Sequence, residues 1–125
     1  MLGNTDVIAM VAVKDLATAR QFYEGTLGLM VIATEGEEVI TFRSGNALFN
    51  IYRSGYAGTN QATALSWSVG DRLDDVVAAL RAKGVTFEHY DMPGTTRDGD
   101  IHIFDGLKAA WFKDPDGNIL NVSNP

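Results

Sequence analysis

The sequence predicts an α+β fold built from two βαβββ modules, their strands forming a curved mixed sheet around a trough. Three observations predict it. The chain repeats itself: Val13-Lys14-Asp15 and Val69-Gly70-Asp71 each lead into a helical pattern closed by a glycine, and both Asp-to-Gly intervals span 13 positions (15 to 28 and 71 to 84). A short run of branched apolar residues, the mark of a strand, precedes each helical pattern. After each helix come three strand-like segments separated by turn residues.

The first strand is Ile8 to Val13. Asp15 then stands as a helix N-cap, its carboxylate placed to accept from a free backbone N–H. Leu16, Ala19, Phe22 and Tyr23 recur at helical spacing and form one apolar stripe. Gly28 can take the left-handed conformation that follows a helix. Met30 to Thr34, Val39 to Arg43 and Ala47 to Tyr52 read as strands, with Ser44-Gly45-Asn46 as the turn between the last two. Residues 54–61 form a linker, so one domain over 1–125 divides into module one (5–53) and module two (62–125).

Module two repeats the scheme. Ala64 to Val69 is the strand, Asp71 the cap, and Leu73, Val76, Val77 and Leu80 the stripe. Thr86 to Tyr90, Leu107 to Lys113 and Asn118 to Ser123 are the later strands. Asp114-Pro-Asp-Gly-Asn118 makes a turn in which proline presets φ and Gly117 supplies a positive one. Residues 91–106 read as a long acidic loop, either a lid over a ligand or a plain disordered segment. Each helix can cover one face of its small sheet, so the other face must be covered by the partner module or line a cavity.

Composition narrows the function. With 46% hydrophobic and 21% charged residues the chain has material for a core. It has no cysteine, which excludes disulfides and thiolate zinc sites and agrees with a reducing cytoplasm. The opening Met1–Asp6 has neither a positive cluster nor an apolar run, so no signal peptide is expected, and no apolar stretch is long enough for a membrane span. A net charge of −6 argues against nucleic acid as partner.

The stretch Val13-Lys-Asp15-Leu-Ala-Thr-Ala-Arg-Gln-Phe22-Tyr23-Glu-Gly-Thr-Leu27-Gly28 resembles the opening signature of the glyoxalase/bleomycin-resistance (vicinal oxygen chelate) superfamily. Trp111-Phe-Lys-Asp114-Pro-Asp-Gly-Asn118 is similar to that family's closing hairpin. The resemblance covers almost the whole chain in the right order. It implies the fold, a homodimer, and a concave ligand site, but not one activity, because this fold hosts isomerases, dioxygenases, epimerases, thiol transferases and drug-sequestering proteins.

In metal-dependent members the resemblance places ligands on the first and last strands of each module. The corresponding positions here are Ile8, Asn50, Ala64 and Asn121. Ile and Ala have no donor atom, and Asn offers a neutral oxygen, a poor sole ligand for a transition metal. No metal and no cofactor are therefore expected. Strand alternation adds Met10, Leu48, Tyr52 and Ser66 to the same faces and puts Trp67 on the helix side, as core. Phe104 and Trp111 present a flat face to a ligand or pack in the core.

The expected function is metal-free binding of a small molecule, drug or metabolite. The alternative is a lyase or isomerase related to glyoxalase, using His102, Tyr52 or one of the loop carboxylates Asp98, Asp100 and Asp105. His89 and His102 are the only histidines, too few for a closed zinc site; the plain reading takes both as partly exposed polar residues. No nucleophile elbow or phosphate loop is present.

Overall fold

The computed structural model describes all 125 residues. They form two compact units, Met1–Thr59 and Asn60–Pro125.

The first unit is a four-stranded sheet of order β1-β4-β3-β2, from β1 (Ala9–Val13), β2 (Met30–Glu35), β3 (Val39–Ser44) and β4 (Ala47–Arg53). The pair β1–β4 is parallel; β4–β3 and β3–β2 are antiparallel. Helix α1 (Leu16–Arg20) continues as a π-helical stretch, Gln21–Thr26, in which Leu27 N–H reaches five residues back to the Phe22 carbonyl. Asp15 caps α1 as expected: its carboxylate accepts from Ala17 N–H at 3.0 Å and the Thr18 hydroxyl at 2.8 Å. The core is one side of the sheet against this helix. Val11, Val13, Ile40, Phe42, Phe49 and Ile51 are buried with Tyr23. The rings of Tyr23, Phe42 and Phe49 lie 5.7–5.8 Å apart: Tyr23 is tilted against Phe42 and edge-on to Phe49, and Phe42 and Phe49 are stacked.

The second unit repeats the order as β5-β10-β9-β6, from β5 (Thr63–Ser68), β6 (Phe87–Glu88), β9 (Leu107–Lys113) and β10 (Ile119–Ser123). Again the outer first strand is parallel to the last. Helix α2 (Leu73–Ala82) buries Leu73, Val77 and Leu80, and the sheet buries Phe87, Ala110, Phe112, Leu120 and Val122. The Asp114 turn forms as predicted, with Gly117 at φ +89°. Its centre is Asp114, 4% exposed, which accepts from the backbone of Asp116 and Asn118 and from the Asn118 amide.

Four expectations need correction. Asp71 does not cap α2; it sits in a 3-10 turn, Gly70–Arg72, that leads into the helix. Ile8 precedes β1 instead of opening it. Trp67 is half-buried, less enclosed than a core position requires. Residues 91–106 are neither a plain loop nor disordered: β7 (Thr96–Asp98) and β8 (Ile101–Phe104) form a hairpin, and β8 extends the sheet beside β9, next to β6 on the same edge. The turn Asp105-Gly106 joins β8 to β9, with φ +47° and +82°. Two successive left-handed residues match the twist of a tight hairpin, which explains Asp-Gly there.

Candidate functional site

In module one the helix covers one face of the sheet, and alternation sends the other residues to the open face. Met10 lies beside Asn50 and Ala12 beside Tyr52 across β1–β4, while Leu48 opposes Arg43 across β4–β3. Met10 and Leu48 are exposed, as is Ile8 just before the strand; Asn50 and Tyr52 are half-buried. Asn50 is already engaged: its carbonyl oxygen accepts from the Thr41 hydroxyl at 2.6 Å, and its amide contacts the Met10 sulfur at 3.4 Å.

In module two the open face follows the pairing of directly opposed residues. Trp111 opposes Asn121 on one side and Glu88 on the other; Ser66 lies beside Asn121, and His102 opposes Ala109. Ala64 and Ser66 are exposed, and Trp111 and Asn121 are half-buried. Trp111 is held by its indole N–H, which donates to the Thr63 hydroxyl at 3.1 Å.

A cavity of about 290 Å³ opens on this face. Its walls are Met92, Pro93, Phe104, Leu107, Ala109 and Trp111, with Thr95 and His102 as the polar members. Of the ten expected site residues it takes in Phe104 and Trp111. The expected ligand-binding set did not include the other lining residues. His102, weighed from the sequence only for the enzyme alternative, is 3% exposed where a partly exposed residue was expected. The missed signal is Ile101-His-Ile-Phe104 before Asp105-Gly106, an alternating apolar run ending in a hairpin dipeptide.

His102 packs edge-on to Trp111, ring centroids 5.0 Å apart, with the Tyr90 ring 6.1 Å away. Its Nε2 accepts from the Tyr90 backbone N–H at 2.9 Å, so in the neutral ring the proton belongs on Nδ1. Nδ1, the Tyr90 hydroxyl and the Asn121 carbonyl oxygen are all buried without a hydrogen-bond partner. Burial, and then the nearby Glu88 charge, push the Tyr90 phenol above its usual range.

Asp100 does not serve His102. Its carboxylate takes His89 Nε2 at 2.7 Å and Arg81 at 2.6 Å, and these two partners hold it below the ordinary carboxylate value. Arg97 donates to His89 Nδ1 at 2.9 Å. The chain Arg97–His89–Asp100–Arg81 ties the β7–β8 hairpin to α2.

The residues at the family's metal positions do not suit a divalent cation. Ile8 and Ala64 end in carbon, the Asn50 oxygen is taken by Thr41, and Asn121 has one neutral oxygen. No three His, Cys, Asp or Glu side chains gather elsewhere as a metal site. A larger hollow of about 590 Å³ on module one is lined by Lys14, Asp15, Arg20, Glu37 and Arg53 among others. Asp15, Arg20 and Arg53 have local partners there, so it is a weaker candidate than the cavity lined by His102, whose Nδ1 is unpaired.

The fold recurs among solved structures. A glyoxalase family protein from Enterococcus faecalis is 19% identical, with 99% of this chain and 100% of that chain covered and a TM-score of 0.74. A fosfomycin resistance protein, FosX, from Listeria monocytogenes is 13% identical over 98% and 93% of the two chains, with a TM-score of 0.73. Lactoylglutathione lyase from Agrobacterium tumefaciens is 16% identical over 96% and 93%, with a TM-score of 0.71. At these identities the likeness speaks for the fold. The family model of the Glyoxalase/Bleomycin resistance protein/Dioxygenase superfamily matches residues 6–122, nearly the full repeat read from the sequence, and the chain belongs to that superfamily.

Proposed function

We propose that this protein binds a small molecule without a metal ion, and that its site is the module-two cavity around His102 and Trp111. One observation carries the reading: the walls are apolar apart from Thr95 and His102, and the buried Nδ1 of His102 has no partner within the chain. Folding leaves such atoms unpaired at a cost of about 1–3 kcal/mol each, which a ligand can return on binding. The donor-poor residues Ile8, Asn50, Ala64 and Asn121 support the metal-free part.

The lyase or isomerase reading has less support. His102 has one nitrogen committed to the backbone and the ring proton on the other, so it is poorly set up as a base. Asp100 is committed to Arg81 and His89.

The exposed apolar residues of module one, Met10, Met30, Ile32 and Leu48, support a homodimer that covers them. No helix is long and apolar enough to cross a membrane. The cysteine-free composition supports a cytoplasmic location.

The test is elemental analysis of purified protein beside a thermal-shift screen of flat, apolar compounds. Stabilisation by such a compound in metal-free protein is the expected result. Stoichiometric zinc, nickel, manganese or iron would overturn it.

A further inference from the structure

Resting on the reading of the module-two cavity as a binding site, we infer that its ligand is an uncharged one- or two-ring aromatic molecule carrying a hydrogen-bond acceptor.

Charge is excluded by the walls. The lining contains no Asp, Glu, Lys or Arg. An ionic ligand group would give up its hydration there and meet no counter-charge. Glu88, on the same face opposite Trp111, is already paired with Lys113 at 3.4 Å.

Ring character follows from what is left. Trp111 and Phe104 offer aromatic surface, and Met92 adds a polarizable thioether that packs well against rings. About 290 Å³ sits at the lower limit of ordinary ligand pockets, which suits one or two rings.

The acceptor follows from His102. Tyr90 N–H occupies Nε2, which leaves Nδ1–H of this lining residue as a buried donor with no partner. A ligand carbonyl or ring nitrogen meets that donor; a ligand hydroxyl or amine hydrogen does not. Nδ1 is covered by its neighbours, so binding must turn a rim side chain aside. Met92 and Phe104, 38% and 49% exposed, are the lining side chains we expect to move.

The experiment uses the full chain, ¹⁵N-labelled, and three probes of one shape: 2-acetylnaphthalene, naphthalene and 2-naphthoate. Nitrogen shifts of His102 should show the Nδ1–H tautomer before any probe is added. 2-Acetylnaphthalene should bind about tenfold tighter than naphthalene, with 2-naphthoate weakest. His102→Phe should erase the preference for the acetyl compound while naphthalene still binds. Should that variant not fold, the ranking of the three probes on the unaltered chain decides alone. Equal affinity for the first two, tightest binding of the naphthoate, or an Nε2–H tautomer would overturn the ligand class and leave the cavity as a site. No change in the Trp111 and His102 signals with any probe would overturn the cavity reading itself, and the inference with it.

Discussion

The backbone N–H of Tyr90 donates to Nε2 of His102 at 2.9 Å. This bond joins the segment just after β6 to β8; the two short strands flank the same edge of β9 at different heights. Neither strand is long enough to hold its place by ladder bonds alone: β6 has 2 residues and β8 has 4. The imidazole supplies the missing acceptor between them. In doing so it sets its own tautomer and leaves Nδ1–H as a donor without a partner.

Replacing His102 by Leu removes that acceptor and leaves the part-buried Tyr90 N–H without its partner. We expect a loss of about 2 kcal/mol in unfolding free energy, read from denaturant midpoints at unchanged m-value. His102→Gln keeps an acceptor and should lose less. Equal losses for Leu and Gln would mean that ring packing on Trp111, not the hydrogen bond, is what His102 supplies.

Asp100 makes stability depend on pH at the acid end. Its two partners, His89 first and Arg81 next, lower its folded value below the ordinary 3.8. A lowered carboxylate contributes stability above the unfolded value and loses it as pH falls through the folded one. Unfolding free energy should therefore decline from about pH 4 downward, and Asp100→Asn should flatten that decline. At neutral pH the substitution should cost about 1 kcal/mol or less, because Arg81 and His89 are half exposed. An unchanged acid limb in the Asn variant would show that other carboxylates set it.

Tyr90 gives the opposite sign. Its hydroxyl is buried without a partner, so Tyr90→Phe removes an unsatisfied group and keeps the ring against Trp111, 5.6 Å between centroids. Stability should rise, by about 1 kcal/mol. The phenol is raised by burial, so it favours the folded state below its unfolded value, near the ordinary 10, and that contribution is lost as pH rises beyond it. The Phe variant should keep more of its stability above pH 10. A destabilised Phe variant would reveal a partner for the hydroxyl.

Much of the fold was legible because it is written in local patterns. Alternation sorted Met10, Leu48, Asn50 and Tyr52 to one face of module one, and Val11, Phe49 and Ile51 are buried on the other. The turn at Asp114–Asn118 was legible because proline and Gly117 dictate its dihedral angles. The hairpin β7–β8 was not, because Thr96-Arg-Asp98 has little strand preference and pairs only when β8 is already seated on β9. Asp71 shares its place in the repeat with Asp15, yet the 3-10 turn through Gly70, at φ +61°, moves the helix start past it. The site suffered most. The burial of His102 depends on Tyr90, twelve residues away, and on Trp111, and no pattern within β8 announces either contact.

Asp114 closes the second module, and its removal should be the most damaging single change outside the apolar core. The side chain is 4% exposed and accepts from Asp116 N–H and Asn118 N–H at 2.9 Å each and from the Asn118 amide at 2.8 Å. The turn it organises sets the register in which Trp111 opposes Asn121. Asp114→Ala strands two backbone donors, so we expect a loss of about 3–4 kcal/mol by denaturant unfolding. Asp114→Asn retains one acceptor oxygen and should lose roughly half as much. The register claim needs its own readout: in Asp114→Ala, nuclear Overhauser contacts across Trp111 and Asn121 should weaken while those between Phe42 and Phe49 in module one persist. Loss of both sets together would mean that the two modules unfold as one unit and that the turn's effect is not local.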